Sequence, residues 1–267
     1  MYYHRLVISY KGTSYFGWQD LGTSVQKPSQ KKATIEASIL QVLKKICKYQ
    51  SCTISAASRT DAGVHAQGQV LKVTLPLAIN SDKLLLGMNS LLPDDIRVLQ
   101  CHPCIATFNP NKESKSKEYH YYFCTDTVYN PVLNDMVAHT PDNSKASTIG
   151  SLDISLMQKA CRLFIGEHDF YSFAKRDTNM SSTFRTILSC EIVQVQPLTF
   201  GNNIYTIKVE GTGFLRYMIR YVVGALFALG RNEISLNDIR EALVNRKDKK
   251  LSSRAKSRGL HLIQVSY

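Results

Sequence analysis

Acidic residues are in short supply in this chain. Its 21 Asp and Glu stand against 33 Lys and Arg, a formal net charge of +12 and a pI near 9.3. Such an imbalance disfavours a cationic partner and favours a polyanion or an anionic membrane, with nucleic acid first. Long apolar runs are missing too. The longest, residues 221–230 between Arg220 and Arg231, is half of what a bilayer span needs and predicts a core helix, with no membrane partner. The start, Met1-Tyr-Tyr-His-Arg-Leu-Val7, lacks the apolar core of a secretory signal, so the expected location is cytoplasmic. Cysteines number seven, an odd count at scattered spacing, which argues against a disulfide framework and for a reducing compartment. Cys101-His-Pro-Cys104 has no second pair at a useful distance and no helical pattern after it, so no metal site is expected. No low-complexity segment stands out.

What is present is a regular alternation of elements. At 267 residues the chain holds one large domain or two small ones. Leu6, Ile8 and Tyr10 alternate as in a strand, and a polar, basic stretch follows at 22–33. Ile35, Ile39, Val42, Leu43 and Ile46 have the spacing of an amphipathic helix capped by Thr34. Strands are expected at 52–57 and 69–75, a helix opening at Ser81-Asp82 and stopping at Leu92-Pro93, and a short strand at 96–99. The order is β, α, β, β, α, β, that of a ferredoxin-like half. The second half reads similarly with longer connections. A strand at 119–124 precedes an irregular excursion at 126–151 and a helix bearing Leu156, Met157, Ala160, Leu163 and Phe164. Strands near 186–195 and 203–210 lead to a helix from Phe214 to Leu229 with Arg216, Tyr217, Arg220 and Tyr221 on one face. Ser235 to Asp238 resembles a capping box, and 260–265 closes as a strand. These patterns predict an α+β chain divided near residue 107, with an N-terminal half at 1–107 and a C-terminal half at 108–267.

The chemistry concentrates in Ala57-Ser-Arg-Thr-Asp-Ala-Gly-Val-His-Ala66. Asp61 lies two residues from Arg59, whose guanidinium can hold a carboxylate ionised and ready to attack or to accept a proton. Gly63 permits the positive φ of a tight loop and the close approach of a substrate. Asp61 lacks the second nearby carboxylate that would hold magnesium for a hydrolase or phosphotransferase, since Asp82 and Asp94 lie in separate elements. A noncatalytic module that binds or folds RNA is the alternative class.

The whole string resembles the catalytic loop of the TruA family of tRNA pseudouridine synthases, of the bacterial type. Further motifs follow in that family's order: Tyr10 to Gln19, Asn89 to Ile96, Lys117-Glu-Tyr-His-Tyr121, Gly166 to Phe173, Arg185-Thr-Ile187, Gly213-Phe-Leu-Arg-Tyr-Met-Ile-Arg220 and Gly259-Leu-His-Leu262. The resemblance implies the pseudouridine synthase fold, two ferredoxin-like halves sharing a continuous, mostly antiparallel sheet. It implies a cofactor-free isomerase that flips a tRNA uridine, breaks its glycosidic bond and rejoins the base through C5. Asp61 would be the essential carboxylate, acting either as a nucleophile on sugar or base or as the base that takes the C2′ proton. Arg59 would pair with Asp61 and fill the space of the flipped base. Tyr119 would stack on the uracil, Arg220 would keep Asp61 ionised, and Leu260 would form the apolar floor. His65 and His168 are read as turn-stabilising or core histidines.

Phosphate contacts are expected from the stretch 246–258, with seven basic residues against one acidic, and so from Arg254, along with Lys112, Lys115, Lys117 and Arg216. The resemblance further implies a homodimer acting on the tRNA anticodon stem-loop at positions 38, 39 and 40. Three departures bear on RNA docking. Phe108-Asn-Pro-Asn111 stands where the family carries Phe-His-Ala-Arg, Glu36 stands where Gln is usual, and residues 22–33 are longer and more basic than is typical of the family.

Overall fold

The computed structural model describes residues 1–19, 33–128, 130–140, 152–175, 182–195, 203–247 and 249–267. All but the last residue of the basic stretch 22–33, and residues 129 and 141–151 of the expected excursion, lie outside them. The chain divides into two compact units, residues 1–115 with 261–267, and residues 116–260. The last residues therefore belong with the first unit.

In the first unit, β1 (Tyr2–Tyr10) runs antiparallel to β3 (His65–Leu75) on one side and to β4 (Ile96–Pro103) on the other. The short β2 (Thr53–Ala56) pairs antiparallel with β3, and β10 (Leu260–Ser266) lies parallel to β3 with His261 opposite His65. Alternation places His4, Leu6, Ile8 and Tyr10 inward. Against them pack α1 (Ile35–Ile46), through Ile35, Ile39, Val42 and Leu43, and α2 (Ser81–Leu91), through Leu84 and Met88. Each helix is closed by local chemistry. Thr34 accepts from the Ala37 N–H at 3.2 Å, and Lys44 and Lys45 sit in the last turn of α1, where the helix dipole favours them. The cap of α2 is Asn80, whose Oδ1 accepts from Asp82 and Lys83, and extended Leu92 before Pro93 ends it. The expected order β, α, β, β, α, β is the one observed.

In the second unit, β5 (Ser116–Cys124), β9 (Ile204–Gly211), β8 (Phe184–Gln194) and β7 (Gly166–Asp169) form an antiparallel sheet in that spatial order. The two-residue β6 (Ala138–His139) adds parallel to β5. Three helices follow the pattern read from sequence: α3 (Ile154–Cys161), α4 (Met218–Gly230) and α5 (Leu236–Val244), the last with a complete Ser235–Asp238 capping box. Apart from Arg220 and Tyr221, α4 is buried throughout, and Phe227 meets the rings of Tyr121 and Phe123 at 5.9 and 5.1 Å.

Several boundaries differ from expectation. α3 ends at Cys161 and tightens into a 3-10 turn at Arg162–Phe164. β3 starts at His65, directly after the carboxylate loop, rather than at 69. β6 and β7 are too short and polar to carry a period of their own, and form only against a partner strand. α4 begins at Met218 rather than Phe214, because Tyr217 adopts φ +64°. A left-handed residue cannot continue a right-handed helix, so Arg216 lies outside the helix instead of on its face. All seven cysteines are thiols, as their spacing predicts. Among the described residues no helix is long and apolar enough to cross a membrane.

Candidate active site

Residues 57–64 connect β2 to β3, and the backbone on both sides of Asp61 is tied down. Ala57 donates to the Val70 carbonyl at 2.9 Å. The buried Gln69 side chain grips Ser58 twice, accepting its N–H at 3.1 Å and donating to its carbonyl at 2.7 Å. Thr60 Oγ1 lies 2.7 Å from the Tyr10 hydroxyl, and the Thr60 carbonyl accepts from Trp18 at 2.9 Å. Beyond the carboxylate, the Val64 N–H returns to the Asp61 carbonyl at 3.1 Å, closing a turn in which Gly63 takes φ +75°. The Asp61 side chain is thus presented half-buried from a loop with few backbone alternatives. Such preorganisation is what a nucleophile or general base requires.

The segment Tyr10 to Gln19 is the loop's bracket. A Cβ on Gly12 would sit 1.9 Å from the Val64 carbonyl oxygen, and one on Gly17, already at φ +90°, would sit 2.7 Å from that of Thr60. Only glycine permits two backbones to approach this closely. The Gly12 N–H donates to His65 Nδ1 at 3.2 Å, and the Gly17 and Trp18 carbonyls accept the first N–H groups of α1. Two stretches that the sequence shows merely as separate motifs are therefore one bracket and its loop, and neither spacing nor hydropathy announces it.

Arg59 is exposed and close enough to Glu36 to act on its charge. Burial pushes the Glu36 carboxyl up, and the Arg59 guanidinium works against that shift. Glu36 thus feels the charge of the arginine in the Asp61 loop.

In the second unit, Lys117, Tyr119, Tyr121 and Phe123 share the buried face of β5. Tyr119 is 6% exposed and meets Phe214 edge to face, with ring centroids 5.4 Å apart. Phe214 holds this ring at a fixed angle, a role the sequence did not suggest. Lys117 is 8% exposed, and burial lowers its ammonium to about 8. Arg220, in the first turn of α4, donates through Nε to the Ala255 carbonyl at 2.8 Å, and the Ala255 N–H returns to the Arg220 carbonyl at 3.0 Å. Leu260 is buried at the start of β10.

Arg216 and Arg254, expected as separate phosphate contacts, are brought together with Arg220 on one ring. Their guanidinium carbons lie 5.0, 4.1 and 5.5 Å from the Tyr217 centroid. Tyr217 is the functional candidate that motif reading passed over.

Elsewhere in the first unit, a depression of about 480 Å³ is lined by Tyr2, His4, Ile79, Asn80 and Cys104 and shares no residue with the Asp61 loop. Cys101 lies beside His4, with Sγ to Nδ1 3.8 Å, and burial raises its thiol to about 11.

Comparison with known proteins agrees with the family resemblance. A family model described as tRNA pseudouridine synthase matches residues 6–108 and 160–267. The chain is 48% identical over 265 residues to a protein named tRNA pseudouridine synthase A 2 from Desulfotalea psychrophila, covering 99% of this chain and 98% of the relative. It is 34% identical over 268 residues to tRNA pseudouridine synthase A of Thermodesulfovibrio yellowstonii, with 98% of each covered. The corresponding protein of Listeria welshimeri is 34% identical over 265 residues, covering 99% and 98%.

Proposed function

From the premise that this chain belongs to the tRNA pseudouridine synthase family, isomerases of uridine in tRNA, we propose that it acts on uridines of the anticodon stem-loop, at positions 38, 39 and 40. The observation that carries the reading is the Asp61 loop, a half-buried carboxylate whose backbone is held on both sides by Gln69, Tyr10, Trp18 and Val64.

The reaction is internal to one nucleotide. The N1–C1′ bond breaks, the uracil turns, a C5–C1′ bond forms, C5 loses a proton and N1 gains one. Atoms and electrons balance, so no redox cofactor is called for. Asp61 either attacks the nucleotide or takes the C2′ proton, and both roles need an ionised carboxylate in a fixed position. Arg59 supports that charge and occupies the space of the flipped base. Tyr119, its angle set by Phe214, is the stacking platform for the uracil, and in this reading its hydroxyl takes part in the final proton removal from C5. Arg220 supplies a guanidinium to stabilise that carboxylate. Leu260 is the apolar floor, and Lys117, Arg216 and Arg254 contact the RNA.

The enzyme works as a cytoplasmic homodimer in this reading, one tRNA touching both subunits. Exposed Val128, Val132 and Met136 offer apolar surface of the kind buried between subunits. Sedimentation of the free protein at micromolar concentration tests the dimer.

The reaction is tested by carbodiimide and primer-extension mapping of an unmodified tRNA transcript, with wild type and Asp61→Asn in EDTA. Product at the anticodon stem from wild type alone is the expected result. Tight binding without product from either protein would favour a noncatalytic RNA-binding module.

A further inference from the structure

The basic stretch 246–258 is fastened to the second unit along its described length. Arg246 Nε binds the Asp169 carboxylate at 2.7 Å, and the Lys247 N–H donates to Ser172 Oγ at 3.1 Å. Lys250 Nζ donates to the Tyr171 carbonyl at 2.9 Å while lying over the rings of Tyr171 and Tyr221. Further along, Ala255 and Arg220 exchange their pair of hydrogen bonds, and the Lys256 carbonyl accepts from the buried Tyr121 hydroxyl at 3.0 Å. The strap crosses α4 at Gly224, where a Cβ would come within 2.1 Å of the Ser253 carbonyl oxygen. A run of like charges that were only a solvated face would need none of these ties.

At the centre of the strap's contacts is Tyr217. Its φ of +64° is costly for a non-glycine residue. That conformation brings Arg216 from before α4, Arg220 from within it and Arg254 from the strap onto a single ring. Arg216 also donates to the Tyr217 hydroxyl at 3.3 Å. Among the described residues neither Arg216 nor Arg254 has a carboxylate partner, and both are exposed. Arg216 and Arg254 converge there without a carboxylate, an arrangement that opposes folding and is repaid when an anion binds.

We propose that Tyr217 and the 246–258 strap form a preordered seat for the phosphodiester backbone of the tRNA, with Arg216 and Arg254, converging on Tyr217, as its grip. This inference rests on the tRNA reading above and adds where and how the strand is held. Guanidiniums already lie against the tyrosine ring, so the cluster offers charge and planar donors to phosphate rather than a free face for a base. Its contribution is therefore independent of sequence. Because the strap is already ordered, binding does not lose the entropy of fixing it.

The test is the salt dependence of affinity for unmodified tRNA, using the full chain as wild type, Arg254→Gln, Tyr217→Leu, Tyr217→Phe and, as an exposed arginine outside the strap, Arg162→Gln. Removing one phosphate contact lowers the slope of log K against log salt by about one, the result expected for Arg254→Gln. Tyr217→Leu, which unseats the guanidiniums of both Arg216 and Arg254, lowers it further, while Tyr217→Phe and Arg162→Gln keep the wild-type slope. The same losses appear with a tRNA of scrambled stem sequence.

Wild-type slopes in both Arg254→Gln and Tyr217→Leu would overturn the proposal, as would an equal loss in Arg162→Gln or a loss confined to one RNA sequence. Pseudouridine is assayed in the same wild-type samples. A wild type that binds steeply but makes no product ends the functional reading and leaves the seat standing. Product together with unchanged slopes ends the seat alone.

Discussion

His65 and His261 lie face to face, ring centroids 4.5 Å apart and planes 17° from parallel, at opposed positions of β3 and β10. Both are buried, at 1% and 2% exposure, and His65 Nδ1 accepts the Gly12 N–H. An accepting Nδ1 means a neutral ring with its proton on Nε2. The imidazole joins the strand leaving the Asp61 loop to the bracket segment, and β10 braces it from the other side.

That arrangement predicts an order of severity at His65. Asn can present an acceptor near the position of Nδ1, whereas Leu leaves the Gly12 N–H buried without one, a loss of about 1–3 kcal/mol. His65→Asn should keep more turnover and a higher melting temperature than His65→Leu. Equal losses in kcat and in thermal melts would show that the ring acts only by filling space.

Gly12→Ala should be more damaging than its size suggests, because the added carbon would overlap the Val64 backbone at 1.9 Å. Gly87→Ala is the matched control. There the nearest atom is Ile46 Cδ1 at 3.9 Å, and alanine within α2 should stabilise by about 0.5–1 kcal/mol. Melting curves and single-turnover rates of the pair check this, and a Gly12→Ala enzyme with wild-type rate would remove the bracket from the account.

Tyr119→Phe retains the ring that meets Phe214 and loses only the hydroxyl. Tyr119→Leu loses both. The expected pattern is intact tRNA affinity with slowed product formation for Phe, and weaker binding of the target nucleotide as well for Leu. Full activity in Tyr119→Phe would restrict the residue to a platform.

Lys117 should impose a stability cost that depends on pH. Burial lowers its ammonium to about 8 from 10.5, so between those values the unfolded chain binds more protons than the folded one. Stability attributable to this group therefore rises from pH 8 to about 10.5, and the cost is fully present below pH 8. Lys117→Met should be more stable than wild type at pH 7, by on the order of 2–3 kcal/mol, and should lose that part of the pH dependence while binding tRNA less well. Denaturant melts at pH 7 and pH 10 decide it, since parallel stability in both proteins would mean the ammonium is not penalised.

Much of the fold was legible from the chain because its signals are local. The spacing of Ile35 to Ile46, the Thr34 cap, the Ser235 capping box and the stop at Pro93 depend on residues within a turn or two of one another, and each formed as expected. The Asp61 loop was found through its own composition, and Gly63 takes the positive φ that composition implied.

Long-range partners decided the rest. Nothing near Tyr217 in sequence says that its backbone will turn left-handed and end the run that began at Phe214, and nothing near Arg254 says that it will reach the same ring. The return of residues 261–267 to the first unit, the stacking of His261 on His65 and the closeness of Gly12 to Val64 all join residues far apart along the chain. Periodicity and propensity describe how a segment pairs with itself. The sequence alone therefore determined most of the helices and strands, the charge and the Asp61 loop. Tertiary structure decided which backbones touch, which cations share a ring and which lysine is buried, because those energies exist only once distant segments have met.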